Sequence, residues 1–163
     1  MRVVETLAVS GDVGTDRVRA VYEADHARLW RSLYAFTASP SIADDAAAEA
    51  FAQALRRGDE IRDVQAWVWR AAYSIARGEL KRRGSNQALH DVSFDDRSDG
   101  VGDLLARLGS MSAGDRELLV LCHVGGWKPG DLARVTGVPA GVIRVRLHRA
   151  TRRARDLLST EVS

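Results

Sequence analysis

Apolar residues recur at helical spacing along most of this chain. Over residues 16–36, 43–57 and 65–83 they lie three and four positions apart, a pattern that predicts three helices. Two closely spaced helices are predicted between residues 131 and 157, where Gly137 ends the first and Pro139 lies near the first turn of the second. Ser112 is expected to cap a further helix just before them. The pattern therefore predicts an all-α fold.

The helix over residues 43–57 has the most regular pattern. Its apolar face is made of Ala43, Ala46, Ala47, Ala50, Phe51, Ala54 and Leu55. These mostly small side chains allow close packing of helices, and Ser41 is the expected N-cap. Asp44, Asp45, Glu49 and Gln53 are predicted on the opposite face. Carboxylates near a helix N-terminus also suit the helix dipole, so a purely structural role for Asp44 and Asp45 stays open.

The helix over residues 65–83 combines basic and aromatic side chains. Val68, Ala71, Ala72 and Ile75 form its predicted core face, and Trp67 and Trp69 flank that face. The side chains predicted to point outwards are Arg70, Tyr73, Ser74, Arg77 and Lys81. Cations interleaved with aromatic rings are typical of surfaces that bind single-stranded nucleic acid. Packing in the core is the alternative explanation for the two tryptophans.

The last predicted helix is apolar on one side and basic on the other. Its apolar stripe consists of Ile143, Leu147, Ala150, Ala154 and Leu157. Arg144, Val145, His148, Arg149 and Arg152 point away from the stripe, and Arg146 and Arg153 flank it. From residue 128 onwards the chain has eight Lys/Arg and three Asp/Glu. A basic helix that follows a short helix and a tight turn favours a helix-turn-helix that binds DNA, although a solvated amphipathic helix would show the same pattern.

Composition and charge divide the chain of 163 residues into four parts. A loose leader over residues 1–15 precedes a helical domain over 16–84, and an acidic linker over 85–103 leads to a helix-turn-helix domain over 104–163. The net charge of +2 is modest, so any binding of nucleic acid must depend on local basic patches. Cys122 is the only cysteine, which excludes an internal disulfide, and the absence of a long apolar run favours a cytoplasmic protein without membrane insertion.

No arrangement of residues in the sequence favours an enzyme. The sequence has no phosphate-binding loop and no nucleophile beside a base, and its four histidines lack the spacing of metal ligands. We therefore expect neither catalysis, nor a cofactor, nor a small-molecule substrate.

Three segments together resemble the bacterial sigma-70 family, in particular sigma factors of the extracytoplasmic-function (ECF) type. ADDAAAEAFAQAL over 43–55 is similar to the family run AEDLVQETFLRAW, with Ala48 in place of its glutamine and Leu55 in place of its tryptophan. AWVWRAAYSIARGELKRR over 66–83 is similar to AWLYRIARNLAID and the basic residues after it, with Ser74 and Gly78 as departures. VRLHRA over 145–150 nearly matches the SRLHRA core of the family's helix-turn-helix. The resemblance extends from about Val21 to Leu158.

This resemblance implies a transcription initiation factor whose partners are core RNA polymerase, promoter DNA and an anti-sigma factor. The residues implied in polymerase binding are Asp44, Asp45, Glu49 and Gln53. Those implied in binding the minus-ten element are Arg57, Asp59, Arg62, Trp67, Arg70, Tyr73, Ser74, Arg77, Lys81 and Arg82, and the loop over 57–62 would capture a flipped base. Those implied in binding the minus-thirty-five element are Arg144, Val145, Arg146, His148, Arg149 and Arg152.

Two other functions fit the sequence. A stand-alone helix-turn-helix regulator would bind a symmetric DNA site as a dimer, without polymerase. A pure interaction protein would dock on polymerase or on a regulator without opening DNA.

Overall fold

The structure of the chain is a computed structural model that describes residues 13–84 and 106–159. Its helices are α1 (Val13–Thr37), α2 (Pro40–Arg57), α3 (Val64–Arg83), α4 (Ala113–His123), α5 (Pro129–Thr136) and α6 (Ala140–Ser159). A single 3-10 turn, Gly58–Glu60, lies between α2 and α3, and no strand occurs in the two described ranges. The prediction of an all-α fold is confirmed for them. Residues 1–12 of the predicted leader and the predicted acidic linker lie outside the described residues.

The N-terminal module, residues 13–84, is built from α1, α2 and α3, which all pack on one another. The alanine face of α2 lies at the centre, and Ala43, Ala46, Ala50 and Ala54 have no exposed surface. The prediction that Leu55 belongs to this face is wrong, because half of its surface is exposed. With a rotation of about 100° per residue, Leu55 lies at the edge of the stripe and points away from α1 and α3.

The N-cap of helix α2 lies two residues before the position that the sequence suggested. The prediction that Ser41 caps this helix is wrong, because the N-cap is Ser39, whose hydroxyl oxygen accepts a hydrogen bond from the Ile42 amide at 3.2 Å. Pro40 follows as the first helical residue, where its fixed φ and its missing N–H are tolerated. Ser41 is exposed, and its hydroxyl contacts Ser39 instead.

Replacement of Ser39 by alanine is expected to lower the free energy of unfolding by about 1 kcal/mol, since the α2 N-terminus loses its side-chain acceptor in a buried position. Equilibrium denaturation in urea measures the loss. Ser41→Ala is the matched control and is expected to change stability far less. Equal losses in the two variants would contradict the assignment of Ser39 as the cap.

The C-terminal module, residues 106–159, contains α4, α5 and α6, and α6 packs on both of the others. Ser112 caps α4 by accepting a hydrogen bond from the Asp115 amide, as predicted. Gly137 ends α5 with a φ of 73°, the left-handed conformation predicted for it. Leu132, Val135 and Ile143 are buried where α5 meets α6. These features build the predicted helix-turn-helix.

The two modules pack against each other around a pair of tryptophans. Trp69 of α3 and Trp127, just before α5, meet edge to face with ring centroids 5.5 Å apart, and both side chains are buried. Trp69 also donates a hydrogen bond from Nε1 to the buried carboxylate of Asp25 at 2.9 Å. One core cluster consequently extends from α1 to the start of α6. Its position determines which face of α3 is turned towards the helix-turn-helix.

Candidate nucleic-acid and polymerase surfaces

The four residues predicted to bind polymerase do not all lie together on α2. Asp45, Glu49 and Gln53 follow one line along the helix, and the carboxylate of Glu49 accepts hydrogen bonds from Gln53 and Arg56, both at 3.0 Å. The hydrogen bonds from Gln53 and then Arg56 lower the pKa of Glu49, which keeps this exposed carboxylate ionised. Asp44 points away from them, about 100° around the helix from Asp45. The acidic patch on α2 therefore consists of Asp45, Glu49 and Gln53.

Asp44 belongs to an aromatic groove between α1 and α2. Its carboxylate accepts a hydrogen bond from Trp30 Nε1 at 2.6 Å. Tyr22 stacks on His26 at 4.5 Å and meets Phe51 edge to face at 5.0 Å, and the groove encloses a cavity of about 480 Å³. Sequence reasoning did not identify this groove. The signal was present, because Tyr22, His26 and Trp30 recur every four residues along one line of α1.

The loop predicted to capture a base is held in place from α1. Arg17 donates hydrogen bonds from Nη2 to the carbonyl oxygens of Ile61 and Arg62, both at 2.6 Å. Gly58 has a φ of 54°, and it lies so close to Gly14 that a Cβ on Gly14 would be 2.7 Å from its carbonyl carbon. Asp59 and Arg62 are exposed on this loop. The loop is thus a fixed turn with its polar side chains free to face a ligand.

A cavity of about 380 Å³ lies between this loop and the first turns of α3. The guanidinium of Arg57 lies over the ring of Trp67 at 5.5 Å, which places a cation and an aromatic face at the cavity. Asp63, the N-cap of α3, accepts hydrogen bonds from the Ala66 amide and from Arg134 of the C-terminal module. Partial burial by itself would raise the pKa of Asp63, but these hydrogen bonds outweigh it and lower the pKa.

The predicted strand-binding residues of α3 divide into two groups. Arg70, Ser74, Arg77, Lys81 and Arg82 are exposed, and Trp67 is half-buried. The prediction that Tyr73 points outwards is wrong, because only 1% of its surface is exposed and its hydroxyl is hydrogen-bonded to Ser32 of α1. Burial raises the pKa of Tyr73 far above the usual range, so the hydroxyl stays protonated. A polar ring can pack inward when the core supplies a hydrogen-bond partner.

Helix α6 presents all of its predicted minus-thirty-five residues to solvent. Ile143 and Ala150 anchor the helix and have no exposed surface. The exposed side chains are Arg144, Val145, Arg146, His148, Arg149 and Arg152. The helix therefore has the geometry that a major groove requires, with an apolar face fixed to the module and a basic face outside.

A basic cleft of about 750 Å³ separates α6 from α3. We define it by five arginines that line it: Arg70, Arg77, Arg146, Arg149 and Arg153. Two carboxylates of the C-terminal module lie among them. Glu117 binds Arg77 with an oxygen-to-nitrogen distance of 2.5 Å, and Asp115 binds Arg153. Burial raises the pKa of Glu117, and the nearby charge of Arg77 opposes that rise.

Neither a candidate metal site nor a candidate membrane-spanning helix occurs in the described ranges. No group of three or more His, Cys, Asp or Glu side chains there could hold a metal ion. None of the helices in those ranges is both long and apolar enough to cross a membrane.

Comparison with known proteins gives one family match and several relatives. Residues 102–153 match the family model described as Sigma-70, region 4. The ECF RNA polymerase sigma factor SigL of Mycobacterium tuberculosis is 28% identical over 156 residues, which cover 85% of this chain and 86% of that protein. The ECF RNA polymerase sigma factor SigE of Mycolicibacterium smegmatis is 25% identical over 158 residues, which cover 83% of this chain and 59% of SigE.

A solved structure shares the fold. The sigma factor RpoE of Bartonella quintana, crystallised in complex with the anti-sigma factor NepR, superposes with a TM-score of 0.65 and 20% sequence identity. The match covers 90% of this chain and 96% of that chain.

Proposed function

Because this chain belongs to the sigma-70 family, as a factor of the ECF type, we propose that it binds core RNA polymerase and selects two promoter elements. The N-terminal domain, residues 16–84, binds the minus-ten element. The C-terminal domain, residues 104–163, binds the minus-thirty-five element, and residues 85–103 link the two. The protein acts in the cytoplasm, where bacterial polymerase and promoter DNA are found, and it catalyses no reaction of its own.

The observation that carries this proposal is the basic face of α6. It lies within the part of the chain that matches region 4 of sigma-70, and it follows the tight turn at Gly137. Six neighbouring side chains there are exposed, and four of them are arginines. Arg144, Val145, His148 and Arg149 read base edges, while Arg146 and Arg152 bind phosphates. Arginine suits both tasks because its planar fork can bind guanine or phosphate with two hydrogen bonds.

The minus-ten assignment has support from the loop over residues 57–62 and from α3. The loop borders a cavity that contains an aromatic ring and several cationic groups. Capture of a base there is feasible once the DNA strand is open, since removal of a base from its stack costs a few kcal/mol. Arg70, Ser74 and Arg77 continue from the cavity along α3, so the rest of the strand would follow that helix.

Polymerase docking is assigned to the acidic patch on α2. Asp45 and Glu49 are exposed, and Glu49 is held in one orientation by Gln53 and Arg56. Asp44, whose side chain lies in the neighbouring aromatic groove, also contributes to polymerase docking. An anti-sigma factor is the remaining proposed partner, and the related Bartonella protein has been crystallised with one.

Gel filtration with purified bacterial core RNA polymerase tests the proposal. We expect the chain to co-elute with the polymerase. We also expect the complex to start transcription from templates that carry two different sequence elements, a minus-ten element and a minus-thirty-five element. A folded chain that does not co-elute overturns the proposal. Binding of a symmetric duplex site without polymerase would establish the free-standing regulator instead, a function that the sigma-factor relatives do not favour.

Arg144→Ala is expected to weaken binding of the complex to its minus-thirty-five element by about 1–3 kcal/mol and to relax the preference for one base pair. Arg144 lies in the second turn of α6, on its exposed face. Competition binding with single-base variants of the element measures both effects. Arg155→Ala, an exposed change near the end of the same helix, is the control. An equal loss on all sequences would show that Arg144 contacts phosphate only.

A further inference from the structure

Two exposed valines lie on the basic face of α6, near its N-terminus. Val142 and Val145 are the third and sixth residues of the helix, and they are 41% and 51% exposed. The neighbouring apolar side chains, Ile143 and Leu147, pack in the main core cluster. Within residues 13–84 and 106–159, neither valine belongs to a core cluster and neither lines the basic cleft. Packing within the described part of the chain therefore does not account for them.

Valine is an unfavourable residue for an exposed position on a helix. Its branched Cβ restricts χ1 and lowers helix propensity below that of alanine, lysine or arginine. Isolated exposed valines are common on protein surfaces, but these two form a pair, and Val145 replaces the serine of the SRLHRA core. The exposed positions that follow on the same face are polar: His148, Arg149 and Arg152. A contact outside the chain would explain why this part of the face is apolar.

The charge around the pair indicates what kind of molecule it contacts. Exposed guanidinium groups surround the two valines, from Arg144, Arg146 and Arg149. The ligand must therefore be negatively charged and must also offer apolar groups at the centre of the contact. Duplex DNA meets both conditions, because phosphates line the major groove and the C5-methyl of thymine is an apolar group exposed on its floor.

The spacing of the valines fits two thymines that lie close together in the element. Side chains three positions apart on a helix have Cβ atoms about 5–6 Å apart, and base pairs are stacked about 3.4 Å apart, so the pair spans one or two base-pair steps. Gly141 is exposed, with open space where a Cβ would lie, so the first turn of α6 can come close to the base edges. The restricted χ1 of valine also limits the conformational entropy lost on contact.

We propose that Val142 and Val145 read the C5-methyl groups of two thymines, so that the minus-thirty-five element of this protein contains two A·T pairs one or two steps apart. The contact distinguishes thymine from the other three bases, since none of them carries a methyl group in the major groove. Because the inference names bases that α6 reads, it rests on the proposed function.

The first step of the test identifies the element that the protein prefers. The full chain is bound to purified core RNA polymerase, and promoter-length duplexes with randomised minus-ten and minus-thirty-five regions are selected for binding. We expect the selected minus-thirty-five elements to share two A·T pairs one or two steps apart. A shared element without such pairs overturns the inference and leaves the proposed function intact. Selection of duplexes with no shared upstream element removes the minus-thirty-five assignment together with the inference.

The second step removes the methyl groups alone. Each thymine of the selected element is replaced by uracil, one at a time, which deletes one methyl group and keeps every hydrogen-bonding group of the base. We expect two of these replacements to weaken binding by the wild-type complex about fourfold each, the effect of losing one buried methyl contact. Equal binding of thymine and uracil at every position overturns the inference.

Val142→Ser and Val145→Ser connect each methyl group with one side chain. Both positions are exposed, so each variant is expected to keep its fold and its co-elution with polymerase. Each is expected to bind thymine and uracil equally at one of the two positions and to prefer thymine at the other. Leu158→Ser, which removes exposed apolar surface from the far end of α6, is the matched control and is expected to keep the wild-type preference at both positions.

The ratio of the affinities for thymine and uracil separates a base contact from a structural role. A general disturbance of α6 lowers both affinities alike and leaves their ratio unchanged. A preference for thymine that survives at both positions in both serine variants assigns the methyl contacts to other side chains and overturns the inference. Loss of co-elution by a serine variant that circular dichroism shows to be folded places the valines against polymerase, and overturns the inference as well.

Discussion

Replacement of Asp45 and Glu49 by arginine is expected to abolish co-elution with core RNA polymerase, which corresponds to a loss of affinity of at least about 100-fold. Both side chains are exposed on one line of α2, so their replacement changes the sign of the patch without disturbing the buried alanine face. Like charges across an interface cost several kcal/mol, and a loss of about 3 kcal/mol already corresponds to more than 100-fold. Gel filtration of the mixture, followed by detection of both proteins across the fractions, measures the effect.

The control for this prediction carries the same change in charge on a different helix. Asp16 and Glu23 are exposed on α1, and their replacement by arginine raises the net charge by the same four units. This control is expected to retain co-elution, because neither residue belongs to the acidic patch. If the Asp45 and Glu49 variant still co-elutes as the wild-type protein does, the docking surface lies elsewhere, and the aromatic groove around Tyr22 and Trp30 becomes the next surface to test.

Arg116→Met is expected to lower the free energy of unfolding by about 2–3 kcal/mol, the largest stability loss predicted for a single polar side chain of this protein. Arg116 lies on α4 and is only 8% exposed. Its Nε donates to the Phe36 carbonyl oxygen at 2.9 Å, and its Nη1 donates to the Met111 carbonyl oxygen at 3.2 Å. The carbonyl of Phe36 lies in the last turn of α1, where no amide of the helix is left to pair with it.

The charge of Arg116 contributes as well as its hydrogen bonds. A cation at a helix C-terminus is stabilised by the helix dipole, and this guanidinium also lies over the Phe36 ring at 5.2 Å. Burial lowers the pKa of Arg116, which shows that the folded state gives up part of the solvation of this charge. Methionine has a similar length but no donor, so it would leave two carbonyl oxygens without their partner.

Urea denaturation of the full chain measures this loss, with two comparison variants. Arg116→Lys keeps the charge but has no planar fork to reach both carbonyl oxygens, and is expected to lose an intermediate amount. Arg155→Met removes an exposed arginine from α6 and is expected to stay within about 0.5 kcal/mol of the wild-type protein. If the free energy of unfolding of Arg116→Met also stays within about 0.5 kcal/mol of the wild-type value, Arg116 does not stabilise the contact between α4 and the end of α1.

The local elements were predictable wherever a short stretch of sequence carries its own signal. Gly137 is needed for a left-handed turn, Ser112 supplies an acceptor to a helix N-terminus, and the alanines of α2 recur on one face. The wrong N-cap predicted for α2 also has a local cause. Ser39 and Ser41 are equally good caps by residue type, and Pro40 decides between them because it suits the first helical position.

Orientation within α3 was less predictable, because aromatic side chains with a polar atom suit both core and surface. Tyr73 lies on the side of the helix that periodicity assigned to solvent, yet it is buried because Ser32 of α1 provides a partner for its hydroxyl. Trp69 is buried for a similar reason, since Asp25 accepts the hydrogen bond from its ring nitrogen. Ser32 and Asp25 are far away in sequence, and their own patterns do not reveal these pairings.

The sequence by itself determined the helices, the tight turn between α5 and α6, the basic face of α6 and the resemblance to a sigma factor, because each depends on residues a few positions apart. Only the tertiary structure decided that the C-terminal module packs on the predicted minus-ten face of α3. That packing depends on contacts such as Arg70 with Val135 and Arg134 with Asp63, which join residues 65 and 71 positions apart. No local period encodes such a contact, since it forms only when the apolar surfaces around Trp69 and Trp127 bring the two modules together.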